Sequence, residues 1–129
     1  MAQTTHYANV DLVLKADEDL SSLVAEFGQR VVVLNAGTPN ARKEAILEVD
    51  HQGGPDAAIQ VFCDLIEKLS PNARALWKRC SARTFDIGFN AGLEPWPYRE
   101  AVQVTTLGRA AKVGVSLVIS IYAYRAKGG

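Results

Sequence analysis

Glu44, Glu48, Asp50 and His51, in the run KEAILEVDH, are the residues whose types and spacing come nearest to a chemistry in this chain. Successive side chains of a strand alternate between its faces, so even offsets put the three carboxylates on one side of an extended segment. A row of carboxylate oxygens can hold a hard divalent cation, and His51 beside Asp50 can serve as an acid–base group. The activity would be that of a small metal-dependent hydrolase. A solvated strand face has the same spacing, however. No Lys follows where a metal-dependent nuclease would place one, and the only other histidine, His6, lies near the N-terminus. The sequence therefore assigns no catalytic residue, no metal ligand and no cofactor.

Other reactive types meet the same outcome. Cys63 and Cys80 stand apart, without a CxxC pair or a neighbouring His, on apolar stripes where a thiolate would be costly. GFNAG and DHQGGPD are the glycine-rich turns, and neither fits a phosphate-binding fingerprint; no GxSxG elbow is present.

The remaining signal is aromatic. Residues 85–102, FDIGFNAGLEPWPYREAV, start as a strand and end as a helix, with glycines, prolines, Trp96 and Tyr98 between. Pro95 and Pro97 stiffen this corner, and Gly92 is expected to take a turn conformation that a Cβ would penalise. Tyr122 and Tyr124 lie on and just beyond the last strand, and Arg99 adds charge beside the corner, as do Arg109, Arg125 and Lys127. Trp and Tyr are favoured as interface anchors, so Trp96, Tyr98, Arg99, Tyr122 and Tyr124 are the candidate partner-binding residues. Trp96 and Tyr98 could equally cover one end of the core, and the corner is structural first.

These residues are positioned by a readable series of elements. Val10, Leu12 and Leu14 alternate with polar neighbours as in a half-buried strand, and Leu20, Leu23, Val24 and Phe27 follow at helical spacing, with Gly28 as a stop. QRVVVLNAG and KEAILEVD read as strands joined by the loop GTPNAR, a hairpin. Ala58, Val61, Phe62, Leu65, Ile66 and Leu69 draw the cleanest apolar stripe, a helix over 55–69. Ser70-Pro71 restarts a second helix carrying Leu76, Trp77 and Cys80. Phe85, Ile87 and Phe89 share one face of a strand, a helix over 99–112 ends near Gly114, and Val115, Leu117, Ile119 and Ile121 form a closing strand. Phe62 and Leu65 are expected to meet Phe85, Ile87, Leu117 and Ile119 in the core.

The order β-α-β-β-α-α-β-α-β predicts an α+β fold, a mainly antiparallel sheet with helices packed on one face, ferredoxin-like in part. The 129 residues suit one domain over 1–129. Hydrophobic residues are 48% and charged residues 22%, ordinary for a globular chain. Fourteen basic and fourteen acidic residues cancel, so no overall field favours nucleic acid or anionic lipid. The first residues lack a signal-peptide pattern and no apolar run is long enough to cross a membrane, so the expected location is cytoplasmic.

The block DAAIQVFCDLIEKLSPNARALWKRCSARTFDIGFNAG, followed by a helix ending in AAKVGVSLVISIYAY, resembles the bacterial family known as domain of unknown function 4279. The resemblance covers about residues 55–124: a long helix, a short Pro-started helix, a strand, a helix ending near Gly and a strand closing on Ile121-Tyr122. It implies no activity and no catalytic residue. Small single-domain bacterial α+β proteins of this kind resemble immunity or antitoxin proteins, an analogy of architecture. The sequence thus reads as a non-enzymatic protein-binding domain of immunity or antitoxin type, with a protein partner such as a toxin. The alternatives are the metal-dependent hydrolase built on Glu44, Glu48, Asp50 and His51, and a homo-oligomeric structural protein, a homodimer being its simplest form.

Overall fold

Alternating and helical apolar patterns set most boundaries where the sequence places them. The structure, a computed structural model, describes residues 4–35, 42–50 and 53–124. Strand β1 (His6–Lys15) leads to helix α1 (Ser21–Phe27), a 3-10 turn (Gly28–Arg30) and strand β2 (Val32–Val33). Strand β3 (Glu44–Glu48), helices α2 (Gly54–Glu67) and α3 (Pro71–Arg79), strand β4 (Ala82–Asn90), helix α4 (Val104–Val113) and strand β5 (Ser116–Tyr122) follow.

Local chemistry explains the helix ends. Ser70 caps α3: its Oγ accepts from the Ala73 N–H at 3.3 Å, and Pro71 opens the first turn. Gly114 ends α4 at φ 78°, in the left-handed region, and the N–H groups of Gly114 and Val115 reach back to Ala111 and Ala110. Helix α4 starts at Val104, five residues later than the pattern predicts. The Gln103 N–H donates to Asp56 Oδ1 of α2 at 2.8 Å, so a tertiary contact, invisible to periodicity, fixes the entry. β2 is likewise shorter than the β-branched run suggests, and the loop expected between β2 and β3 lies mostly outside the described residues.

The sheet runs β2-β3-β1-β4-β5. Its first four strands are antiparallel in the ferredoxin-like arrangement, β4 and β2 flanking the central pair of β1 and β3. β5 is added outside β4 and runs parallel to it, joined through α4, so the sheet is mixed but mostly antiparallel. The helices pack over one face. There Val10, Leu12, Leu14, Leu47, Phe85 and Ile87 meet Leu23, Phe27, Ile59, Phe62 and Ile66. Phe62 and Phe85, both fully buried, lie with ring centroids 5.5 Å apart at the centre of this core.

One core expectation fails. Leu65 is only partly buried, and Leu117 and Ile119 are 38% and 64% exposed. The register puts Leu117 beside Phe85 and Ile119 beside Ile87, on the helix-covered face. The helices cover the centre of the sheet and leave β5 outside their shelter. An alternating pattern identifies a strand; it does not say whether anything covers its apolar side.

Candidate functional site

The corner between β4 and α4 is held at several points. The Thr5 N–H donates to the Glu94 carbonyl at 2.7 Å, and the Gly92 N–H donates to Thr5 Oγ1 at 2.9 Å. Gly92 does not take a positive φ, so its place reflects this hydrogen bond and not a conformation closed to other residues. Tyr98 packs edge-on against Phe89, centroids 6.0 Å apart. Its hydroxyl accepts from the Tyr7 N–H at 3.2 Å and donates to Glu100 Oε2 at 2.7 Å. Partial burial, with the Glu100 carboxylate beside it, raises the Tyr98 pKa. Tyr98 is thus part of the corner's structure.

Trp96 has the opposite placement. It stands 94% exposed on this pinned loop, with exposed Leu93 near it in sequence and Arg99 exposed two residues beyond Pro97. The loop's two X-Pro bonds, Glu94-Pro95 and Trp96-Pro97, are cis. Tyr122 and Tyr124 are exposed at the same end of the sheet, where the Tyr122 carbonyl accepts from the Ala91 N–H at the start of the corner. Four of the five sequence-predicted residues therefore present surface near one end of β4 and β5, and Tyr98 braces them. A shallow apolar groove of about 230 Å³, lined by Thr5, Phe89, Ala91, Tyr98, Glu100, Ile119 and Ile121, joins the corner to β5.

The open edge of β5 is the feature that sequence reasoning missed. Among the described residues it is the sheet's long free edge; the other edge, β2, has only two residues. Leu117, Val118, Ile119, Ile121 and Tyr122 are all between 38% and 68% exposed, so both faces of the strand are open. Val104 and Leu107 are exposed on α4 as well. Helical periodicity turns them away from Arg109, which is tied to Asp64 and Glu67 of α2 at 2.6 and 2.8 Å. Exposed apolar surface on a protein commonly marks an interaction site. On the uncovered sheet face, Gly88 makes room for Asn9 and Tyr122: a Cβ there would sit 2.8 Å from Asn9 Oδ1.

The carboxylates of the alternative hydrolase reading start on β3, where Glu44 and Glu48 stand at its two ends. Glu44 pairs in register with Lys15 and its carboxylate lies 3.8 Å from the Lys15 ammonium, four residues along β3 from Glu48. Asp50 lies past the end of β3, and His51 lies outside the described residues. The register instead aligns Glu48, Asp11 and Asp86 across three neighbouring strands. The Asn9 amide donates to Asp11 Oδ1 and to Glu48 Oε2, both at 2.9 Å, and Ser120 Oγ donates to Asp86 Oδ1 at 2.6 Å. Pairing sets this row, so no spacing in the chain announces it. Among the described residues no group of three His, Cys, Asp or Glu side chains is arranged to hold a metal ion.

A larger cleft, about 420 Å³, opens where the C-terminal ends of α2, α3 and α4 converge, between Arg74, Trp77, Lys78, Arg83 and Lys112. Its arginines serve those helix ends. Arg83 donates to the carbonyls of Gly114 and Trp77 at 2.9 Å each, and Arg74 donates to that of Glu67 at 2.9 Å, which satisfies groups the helices leave open. Both cysteines are buried and free, and burial pushes the Cys63 thiol up to about 11 and raises that of Cys80. Neither is primed as a nucleophile. No helix among the described residues is long and apolar enough to cross a membrane.

Comparison with protein families, curated proteins and solved structures found no match to this chain. The functional reading therefore rests on the surface itself.

Proposed function

We propose that this chain is a non-enzymatic protein-binding domain that engages its partner through the aromatic end of the sheet, with Trp96 as the central anchor and Arg99, Tyr122 and Tyr124 around it. The observation that carries the reading is a tryptophan 94% exposed on a loop braced by Tyr98, Thr5 and Glu94. An exposed Trp on an ordered loop loses little conformational freedom on binding, and Trp and Arg are the residue types that most often dominate binding energy. The family resemblance of residues 55–124 belongs to the same proposal. It adds no activity, and the analogy with immunity proteins suggests a toxin as the partner.

The test is affinity purification with the wild-type chain and with Trp96→Ala as baits. A partner retained by the wild type should be lost or weakened by about 1 to 3 kcal/mol in Trp96→Ala, the usual range for an aromatic anchor. A partner that binds both baits equally would place the contact elsewhere.

A further inference from the structure

We propose that the free edge of β5 pairs antiparallel with β5 of a second copy of this chain, about a two-fold axis at Ile119, joining two five-stranded sheets into one. The inference goes beyond the corner reading, because it concerns the strand edge and not the Trp96 loop.

Backbone hydrogen bonding gives the register. In a parallel ladder, alternate residues direct both N–H and C=O to the same neighbour. The Tyr122 carbonyl accepts from Ala91, at the end of β4, so Ser116, Val118, Ser120 and Tyr122 face β4 and Leu117, Ile119 and Ile121 face outward. These three residues form a set symmetric about Ile119. A two-fold axis there sets Ile119 against its own copy and Leu117 against the second copy's Ile121. Residues that face each other in this way form hydrogen-bonded antiparallel pairs, each exchanging two bonds, so every outward N–H and C=O of the three finds a partner. A one-residue slip would set Leu117 against Ser120 and lose the pairing.

Side chains agree with that register. The outward set carries only apolar groups, which meet as Leu117 with Ile121 and Ile119 with Ile119, and apolar β-branched pairs stabilise adjacent strands. SLVISIY contains no charge, no proline and no glycine, none of the devices that keep edge strands apart. An uncharged strand has no repulsion against its own copy and offers nothing to single out a charged partner. Leu117, Val118, Ile119, Ile121 and Tyr122 are 38% to 68% exposed, so the strand carries apolar surface that a paired copy would partly cover.

Sedimentation of the wild-type chain across a concentration series, beside Ile119→Lys, tests the pairing. The wild type should be a dimer at micromolar concentration, and Ile119→Lys should be monomeric or dimerise at least ~100-fold more weakly, because it places two like charges face to face on the axis. A wild type that stays monomeric throughout, or an Ile119→Lys chain that dimerises as tightly as the wild type, would overturn the proposal. Ile119 is 64% exposed, so the lysine should leave the fold intact. A second measurement does not depend on that: Cα atoms of a hydrogen-bonded pair lie about 5.5 Å apart, within disulfide reach. Mild oxidation should therefore crosslink Ile119→Cys into covalent dimers. Ser116→Cys, whose copy lies about 20 Å away along the paired strands, should not crosslink. Absence of an Ile119→Cys crosslink, or equal crosslinking of both, contradicts the register. A monomer that still loses its partner on Trp96→Ala would remove this proposal and leave the corner reading. A dimer indifferent to Trp96→Ala in every binding assay would do the reverse.

Discussion

Trp96 and Tyr98 are two positions apart and have opposite duties. Both could anchor a partner by type, and sequence alone gives them the same role. Contacts across the chain separate them: Tyr98 meets Phe89, the Tyr7 amide and Glu100, whereas Trp96 is 94% exposed. Their substitutions should part accordingly. Tyr98→Phe keeps the ring and deletes a hydroxyl that both accepts and donates, and should cost about 1 to 2 kcal/mol in urea denaturation. Trp96→Ala should change stability by no more than about 0.5 kcal/mol, as for exposed positions without a special role. At the core, Phe62→Ala should cost about 3 to 5 kcal/mol, since a fully buried ring against Phe85 leaves a cavity that the packed sheet cannot close.

At the scale of elements, the regular segments were legible because their apolar periods are strong: the α2 stripe, the Ser70-Pro71 start of α3 and the alternation in β1, β4 and β5 all match the structure. What failed depended on contacts between elements. Helix α4 starts late because Asp56 of α2 takes the Gln103 N–H, and no periodicity in residues 99–112 encodes a carboxylate from another helix. That bond leaves a pH signature. The Gln103 amide first, then the Thr106 and Gln60 side chains, hold the Asp56 carboxyl below its ordinary value of 3.8. A carboxyl with a lowered folded-state pKa contributes stability that is present above its unfolded pKa and is lost as pH falls through the folded one. Acid unfolding followed by circular dichroism should therefore show this contribution disappearing below about pH 4. Asp56→Asn should be less stable than the wild type at pH 7, with the difference shrinking in acid. An unchanged difference at pH 3 would mean that the carboxylate does not hold the α4 entry.

For the molecule as a whole, the strand order decides which surfaces are open, and strand order is absent from a one-dimensional pattern. The mainly antiparallel sheet with ferredoxin-like order follows from the succession of elements, but the position of β5 outside β4, beyond the helices' cover, does not. Had β5 been inserted at the sheet's centre, Leu117 and Ile119 would have been core residues, as their alternation suggested. Likewise Glu44, Glu48 and Asp50 share a strand face in sequence, while the register draws Glu44 to Lys15 and aligns Glu48 with Asp11 and Asp86. Equal numbers of acidic and basic residues leave the molecule without a net field to keep copies apart. The proposed pairing of β5 with a second copy rests on this uncharged, unguarded edge of seven residues. Amide hydrogen exchange at β5 measures this most directly. The account predicts that the outward amides of Leu117, Ile119 and Ile121 are protected at high protein concentration and lose that protection on dilution, while those of Val118, Ser120 and Tyr122, bonded to β4, stay protected throughout. Fast exchange of the three outward amides at every concentration would contradict it.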